Sequence, residues 1–332
     1  MEIRYDNIAN REKVWAALSS VLAAVLLTVM KLAVGLMTNS LGILAEAAHS
    51  GLDLVAAIVT LVAVRISDRP ADQDHLYGHG KVENISALFE TLLLLLTCVW
   101  IIYEAVQRLF FRPADVDPSM WAFLTMAISI GVDISRSRML YRVARKHNSQ
   151  ALEADGLHFS TDVWSSSVVI LGLLGLVLAN QFPALSFLRQ ADAMAALMVA
   201  AIVIYVSLQL GKRTVLALVD TAPKGVADQI RRIVEAVPGV KNCHHVRVRY
   251  AGAYSFADIH VLVEGGLKLD EVHTITEAIE KTVHLQLPTI DLVVHPEPDS
   301  PQFRPKEPPA DSAASPESTS ALAAPTSSSK EK

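Results

Sequence analysis

Apolar residues run through the first part of the chain in stretches longer than the core of a soluble domain needs. A helix requires about 20 mostly apolar residues to cross the hydrocarbon of a bilayer. Six stretches meet that length, at roughly residues 14–37, 40–65, 86–108, 118–140, 155–180 and 191–211, and polar residues gather in the connections between them. Beyond residue 211 the period changes. Residues 226–236 place Ile230, Ile233, Val234 and Val237 on one helical face, closed by Pro238 and Gly239. Residues 245–251 (HVRVRYA) and 256–264 (FADIHVLVE) alternate polar and apolar positions, as half-buried strands do. A second helix over 269–287, opened by Asp270, and a third strand over 289–295 complete the order α-β-β-α-β. The pattern predicts an α-helical membrane protein of six transmembrane helices followed by a small α+β domain, with helices on one side of a sheet. Its parts are an N-terminal segment 1–13, a membrane domain 14–211, the α+β domain 212–298 and a tail 299–332. That tail is Pro, Ala, Ser, Thr, Glu and Lys with almost no large apolar residue, so it is expected to be disordered.

Composition agrees with a membrane domain: hydrophobic residues make up 52% of the chain and charged residues 19%, with a mean hydropathy of +0.35. The net charge of −5 adds little, because the charges lie mostly outside the apolar stretches; no nucleic-acid partner is expected. The polar segment 1–13 leads into a stretch too long for the apolar region of a cleavable signal, so the first helix is expected to be retained. Cys98 and Cys243, far apart, argue against a disulfide framework. Loop charges set the orientation. Arg11, Lys13, Arg65, Arg69, Lys81, Arg142, Arg145, Lys146, Lys212 and Arg213 flank one side, whereas the turns at 38–40, 108–118 and 180–190 carry few. Both termini and the α+β domain are therefore expected in the cytoplasm, with the helices in the inner membrane and lipid around them.

Within the apolar stretches one pattern occurs twice. His49 and Asp53, and again His158 and Asp162, are spaced His-x-x-x-Asp. An ionisable side chain at bilayer depth costs roughly 2.5–3.5 kcal/mol on insertion scales unless it faces a partner, a cavity or an ion. Residues four apart share a helix face, so each copy directs one nitrogen and one oxygen the same way. If the two helices face each other, two imidazoles and two carboxylates form a tetrahedral set suited to zinc. The blander reading is a pair of interhelical contacts. Glu46 lies about one turn before His49, as a supporting or merely polar contact, and Asp133, Arg136 and Arg138 read as an internal ion pair. Asp72, His75 and His79 lie in a connecting loop, PADQDHLYGHGK, that either gathers round an ion or is simply solvated. In the α+β domain, His244, His260, His273, His295 and Glu297 are candidate ligands or ordinary surface residues.

With the two His/Asp pairs, the YGHGK loop with its upstream Asp72 and His75, six helices and a metallochaperone-like terminal domain, the chain resembles the cation diffusion facilitator family, and is similar to its bacterial ferrous-iron and zinc efflux pumps. The resemblance spans roughly residues 9–298. It implies that His49, Asp53, His158 and Asp162 form the transport site, that Asp72, His75 and His79 form a loop site, and that His244, His260, His273, His295 and Glu297 form a cytoplasmic binuclear site at a homodimer interface. Lys81 and Asp220 match a charge interlock between the two protomers. The bacterial pumps often carry Asp where this chain has His49, and a shorter Asp where it has Glu297. Two histidines with two aspartates are associated in the family with zinc rather than manganese or iron.

The expected function is zinc efflux from the cytoplasm by Zn²⁺/H⁺ antiport, with Zn²⁺ also bound at the cytoplasmic site, where it stabilises the dimer. Two aspartates balance one Zn²⁺, and protonating two histidines restores that balance once the ion leaves. The alternatives are a membrane-anchored metal sensor, or a transporter with Cd²⁺, Co²⁺ or Fe²⁺ as its main substrate. An enzyme is not expected: a catalytic zinc keeps an open position beside a general base, and no such base is visible.

Overall fold

The computed structural model describes residues 7–110, 120–181, 188–222 and 224–301. Residues 302–332 of the expected tail, and much of the expected connections at 108–118 and 180–190, lie outside the described residues. Six long helices stand where the apolar stretches predict them: α1 (Asn7–Thr38), α2 (Leu41–Ser67), α3 (Lys81–Phe110), α4 (Met120–His147), α5 (Gln150–Gln181) and α6 (Leu188–Leu218). They run past the apolar stretches because the polar flanks continue the same helices. Among the described residues, four segments are apolar and long enough to span a bilayer, namely Ile8–Thr38, Glu46–Ser67, Lys81–Gln107 and Leu197–Leu218.

Short connections join antiparallel neighbours. Asn39 and Asn148 take left-handed backbone angles at the ends of α1 and α4, where Asn is tolerated. Ser40 and Ser149 then cap the next helices, their hydroxyl oxygens accepting from the N–H groups of Ile43 and Leu152. α1 packs on α2 and α4, α4 on α5, and α3 on both α5 and α6. The bundle is lined with small and polar side chains: Ala16, Ala17, Ala56, Ala57, Ala87, Ala151 and Ala154 are buried, while Leu22, Leu26, Val29 and Leu36 of α1 point outward. Large apolar residues outside and small ones at helix contacts are what a lipid surround favours, since lipid tails are as apolar as leucine.

Lys13, one of the flanking charges on sequence grounds, is in fact buried between helices. Its Nζ lies 2.6 Å from Asp68 Oδ1 and 3.1 Å from Glu83 Oε1, and Ser67 and Ser149 donate to the same glutamate. Four helices thereby meet at one buried ionic knot near the end of the bundle that carries the loop.

The second domain has the predicted order: α7 (Val226–Glu235), β1 (Asn242–Ala251), β2 (Tyr254–Val263), α8 (Leu269–Gln286) and β3 (Ile290–Pro298). β1 and β2 form an antiparallel hairpin; β2 pairs with β3 in parallel, with α8 as the crossover between them. α7 and α8 bury Ile230, Val234, Ile279 and Val283 against Ile259 and Val261 of the central strand. β1 begins three residues earlier than the alternation suggested, which brings His244 into the sheet. α8 opens one residue before Asp270; Glu271 accepts the backbone N–H of Lys268, and Asp270 lies within the first turn.

Candidate metal centres

The His-x-x-x-Asp pairs lie on α2 and α5, and the bundle brings them together. His158 Nε2 is 3.1 Å from Asp53 Oδ1 and 3.7 Å from Asp162 Oδ2. His49 Nε2 is 3.7 Å from Asp162 Oδ1 and 3.9 Å from Asp53 Oδ1. Each imidazole therefore reaches both carboxylates, its own helix's and the facing one's. His158 and Asp53 are buried, while the His49 side chain is partly open, at 38% exposure. Two nitrogens and two carboxylates with one open flank can take a borderline cation such as Zn²⁺ and release it.

A shell of further ionisable groups surrounds this set. Glu90 of α3 is fully buried; its Oε1 accepts from the Thr60 hydroxyl at 3.0 Å, and its Oε2 lies 3.6 Å from His158 Nδ1. Glu46 is held by Lys31 of α1, 3.3 Å away, and the same ammonium donates to Ser50 at 2.8 Å. Asp133 and Arg136 form an internal ion pair, 3.2 Å long. Arg136 also donates to Ser20, which donates to the buried Asp155, and its guanidinium covers the Phe159 ring. Arg138, grouped with them on sequence grounds, is exposed. Glu90, Lys31 and Asp155 went unnoticed in the sequence, although the signal that singles out His49 applies to them equally: an ionisable residue inside or beside an apolar run.

The loop residues also meet. Asp72 lies 3.1 Å from His75 Nδ1 and 3.2 Å from His79 Nε2, with the two rings 4.4 Å apart. The backbone N–H groups of His75 and Asp74 both donate to Asp72 Oδ1. These contacts, the His75 N–H foremost, hold the Asp72 carboxyl below the usual carboxylate range. It therefore stays ionised at neutral pH.

In the α+β domain, strand register sets the histidines side by side: His244 pairs with His260, and His260 with His295. Glu297 joins the row, 2.9 Å from His260 Nδ1, 3.2 Å from His244 Nε2 and 3.8 Å from His295 Nε2. Burial pushes the His244 imidazole below its ordinary range, which favours the neutral, ligating form. His273 stands apart on α8, exposed and beside Glu277. His245, absent from the sequence-based set, joins it instead. Neighbouring Cys243 faces the core, its thiol pushed up to about 11 by burial, so it supplies no thiolate here. Lys81 and Asp220 pair at 2.9 Å within one chain, joining the start of α3 to the residues just past α6.

The family model described as the cation efflux transmembrane domain matches residues 17–219, and that of the cation efflux protein cytoplasmic domain matches residues 222–299. The chain is 31% identical to a cation-efflux pump, FieF, of Cronobacter sakazakii over 87% of its length and 94% of the relative's. It is 32% identical to the FieF of Yersinia enterocolitica, covering 85% and 92% of the two chains. Among solved structures, a nickel form of the MamM C-terminal domain is 29% identical and matches 24% of this chain and 100% of its own, with a TM-score of 0.23. CzrB in its zinc form is 23% identical, over 26% of this chain and 96% of its own, with a TM-score of 0.24.

Proposed function

The chain belongs to the cation efflux family, the cation diffusion facilitators, and on that footing we propose that this divalent cation efflux transporter carries Zn²⁺ out of the cytoplasm in exchange for protons. The observation that carries the zinc assignment is the meeting of His49, Asp53, His158 and Asp162, whose nitrogens and oxygens converge from two facing helices. Two imidazoles and two carboxylates suit zinc better than the all-oxygen sets that magnesium, calcium or manganese prefer. Two aspartates neutralise one Zn²⁺. After release, two protonated imidazoles would restore that neutrality, so up to two protons exchange for each ion by charge balance. The protein works as a homodimer in the inner membrane with both termini in the cytoplasm. Within each protomer Lys81 and Asp220 tie the start of α3 to the residues just past α6. The loop residues Asp72, His75 and His79 offer the ion a first stop. Zn²⁺ at the cytoplasmic His244/His260/His295/Glu297 cluster reports the free metal level and favours the loading form, a coupling between distinct sites.

Zinc flux into proteoliposomes with a trapped fluorescent zinc reporter tests this. Wild type should transport, Asp53→Ala and Asp162→Ala should fold and lose flux, and an imposed pH gradient should set the rate. Undiminished flux in both variants would return the paired motifs to helix contacts. Flux indifferent to the pH gradient would remove the antiport. Transport that depends on zinc identically in His260→Ala and wild type would remove the regulatory role.

A further inference from the structure

Successive residues of a strand face opposite sides of its sheet, so His244 and His245 ought to point apart. They do not. The β1–β2 register slips between His244 and Arg247, and His245 takes a left-handed backbone angle, φ 49°. This is a β-bulge, a device that re-aims a side chain. Its result is a triangle of imidazoles: ring centroids lie 4.9 Å apart for His244 and His245, 5.1 Å for His245 and His260, and 5.6 Å for His244 and His260. One ring nitrogen from each falls within 4.8 Å of the others. His244 Nδ1 is buried without a hydrogen-bond partner, and a buried polar atom left so calls for an occupant.

We propose that His245 is a metal ligand, and that the bulge in β1 builds from His244, His245 and His260 a divalent-ion centre closed within one protomer. The proposal rests on the reading of the cytoplasmic cluster as a metal site and adds its missing member. His260 is shared with the second group, His260, His295 and Glu297, so the two triads lie side by side. Four imidazoles and one carboxylate favour the borderline ions, zinc, nickel, copper and cobalt, over magnesium, calcium or manganese. His245 itself is exposed in the single chain, which lets its ring turn onto an arriving ion. Because every donor comes from one chain, binding at this centre does not require the partner protomer.

The test uses the full chain in detergent, with Zn²⁺ for affinity and Co²⁺ as the spectroscopic probe. His245→Asn keeps a residue that tolerates the left-handed bulge and removes the imidazole; zinc affinity of the cytoplasmic site should fall about tenfold. His245→Cys places a thiol where the ring stood, and Co²⁺ should then produce a thiolate-to-cobalt charge-transfer band absent from wild type, whose thiols are buried. The cysteine arm reports proximity to the ion directly, even if the Asn variant were to fold poorly. Unchanged affinity in His245→Asn and no new band in His245→Cys, with binding still lost in His260→Ala, would remove His245 and leave the cytoplasmic site standing. Binding unchanged in all three would overturn the site itself.

Discussion

Glu90 shows what a single residue does behind the proposed ligands. It is fully buried in α3, held by Thr60, with its free oxygen 3.6 Å from His158 Nδ1, and neither of those two atoms has a hydrogen-bond partner. A carboxylate at the far nitrogen of a ligating histidine fixes which nitrogen faces the metal and raises its basicity; removing such a partner typically lowers metal affinity by about 10- to 100-fold. Glu90→Ala is therefore expected to weaken zinc binding at the membrane site by that factor, measured by competition with a chromophoric chelator. Glu90→Gln, whose amide oxygen can still accept the imidazole N–H, should recover much of it. Equal affinity in wild type and Glu90→Ala would make the contact incidental. At this scale the sequence was readable wherever a motif repeated. His49/Asp53 and His158/Asp162 announce themselves by spacing, whereas Glu90 is a lone carboxylate in an apolar run and acquires meaning only when α3 lies against α5. His245 was hidden for another reason: strand alternation sends it to the wrong face, and only the bulge reverses that.

Helices α1, α2 and α3, and the start of α5, are tied by one ionic knot. Lys13 sits between Asp68 and Glu83, with Ser67 and Ser149 completing the second carboxylate's contacts. All of these groups are buried, so the value of the knot lies in its completeness. Breaking a buried pair by removing one partner costs about 3–5 kcal/mol, because an uncompensated charge stays behind. Lys13→Met should lower the thermal midpoint of the detergent-solubilised protein by several degrees, while Lys13→Met combined with Asp68→Asn and Glu83→Gln should regain part of the loss. If the single variant melts as wild type does, the knot contributes nothing. Helix number and order were legible because long, mostly apolar stretches separated by polar connections favour long helices, although among the described residues only four of the six have segments apolar enough to span by that measure alone. The knot was not, since a lysine at a helix flank reads equally well as a loop charge; its burial follows from α1 starting at Asn7 and carrying Lys13 inside the bundle.

Across the whole molecule, the membrane and cytoplasmic domains meet backbone to backbone. A side chain on Gly80, just before α3, would collide with the carbonyl oxygen of Ala251, and one on Gly252 would fall 2.5 Å from that of Gly80. Gly252 also has φ +63°, and its N–H donates to Asn84 at 3.2 Å. Around this contact Tyr77 packs edge-on against Phe256, Arg249 covers Tyr77, and Asp220 pairs with Lys81. The same loop carries Asp72, His75 and His79, so the tip of the β1–β2 hairpin rests on the segment that holds the proposed loop ligands. None of this is visible in a linear reading: glycines at 80 and 252 look like ordinary turn residues until the tertiary approach leaves no room for a Cβ. The joint ties any movement of the sheet that bears His244 and His260 to the start of α3, the helix that also holds Glu90 beside His158. Gly252→Ala introduces both a backbone clash and a left-handed alanine, for which the chain has no relaxed conformation. Hydrogen exchange in the loop through residue 84 and in the hairpin tip should accelerate by about tenfold, the factor that corresponds to roughly 1.4 kcal/mol, while zinc affinity at the four-residue membrane site stays within about twofold of wild type. Exchange that remains at the wild-type rate would mean that the hairpin does not rest on the loop in the working protein, and the route from the cytoplasmic histidines to the membrane site would then have to run through α6, which also contacts β1, and its connection to α7.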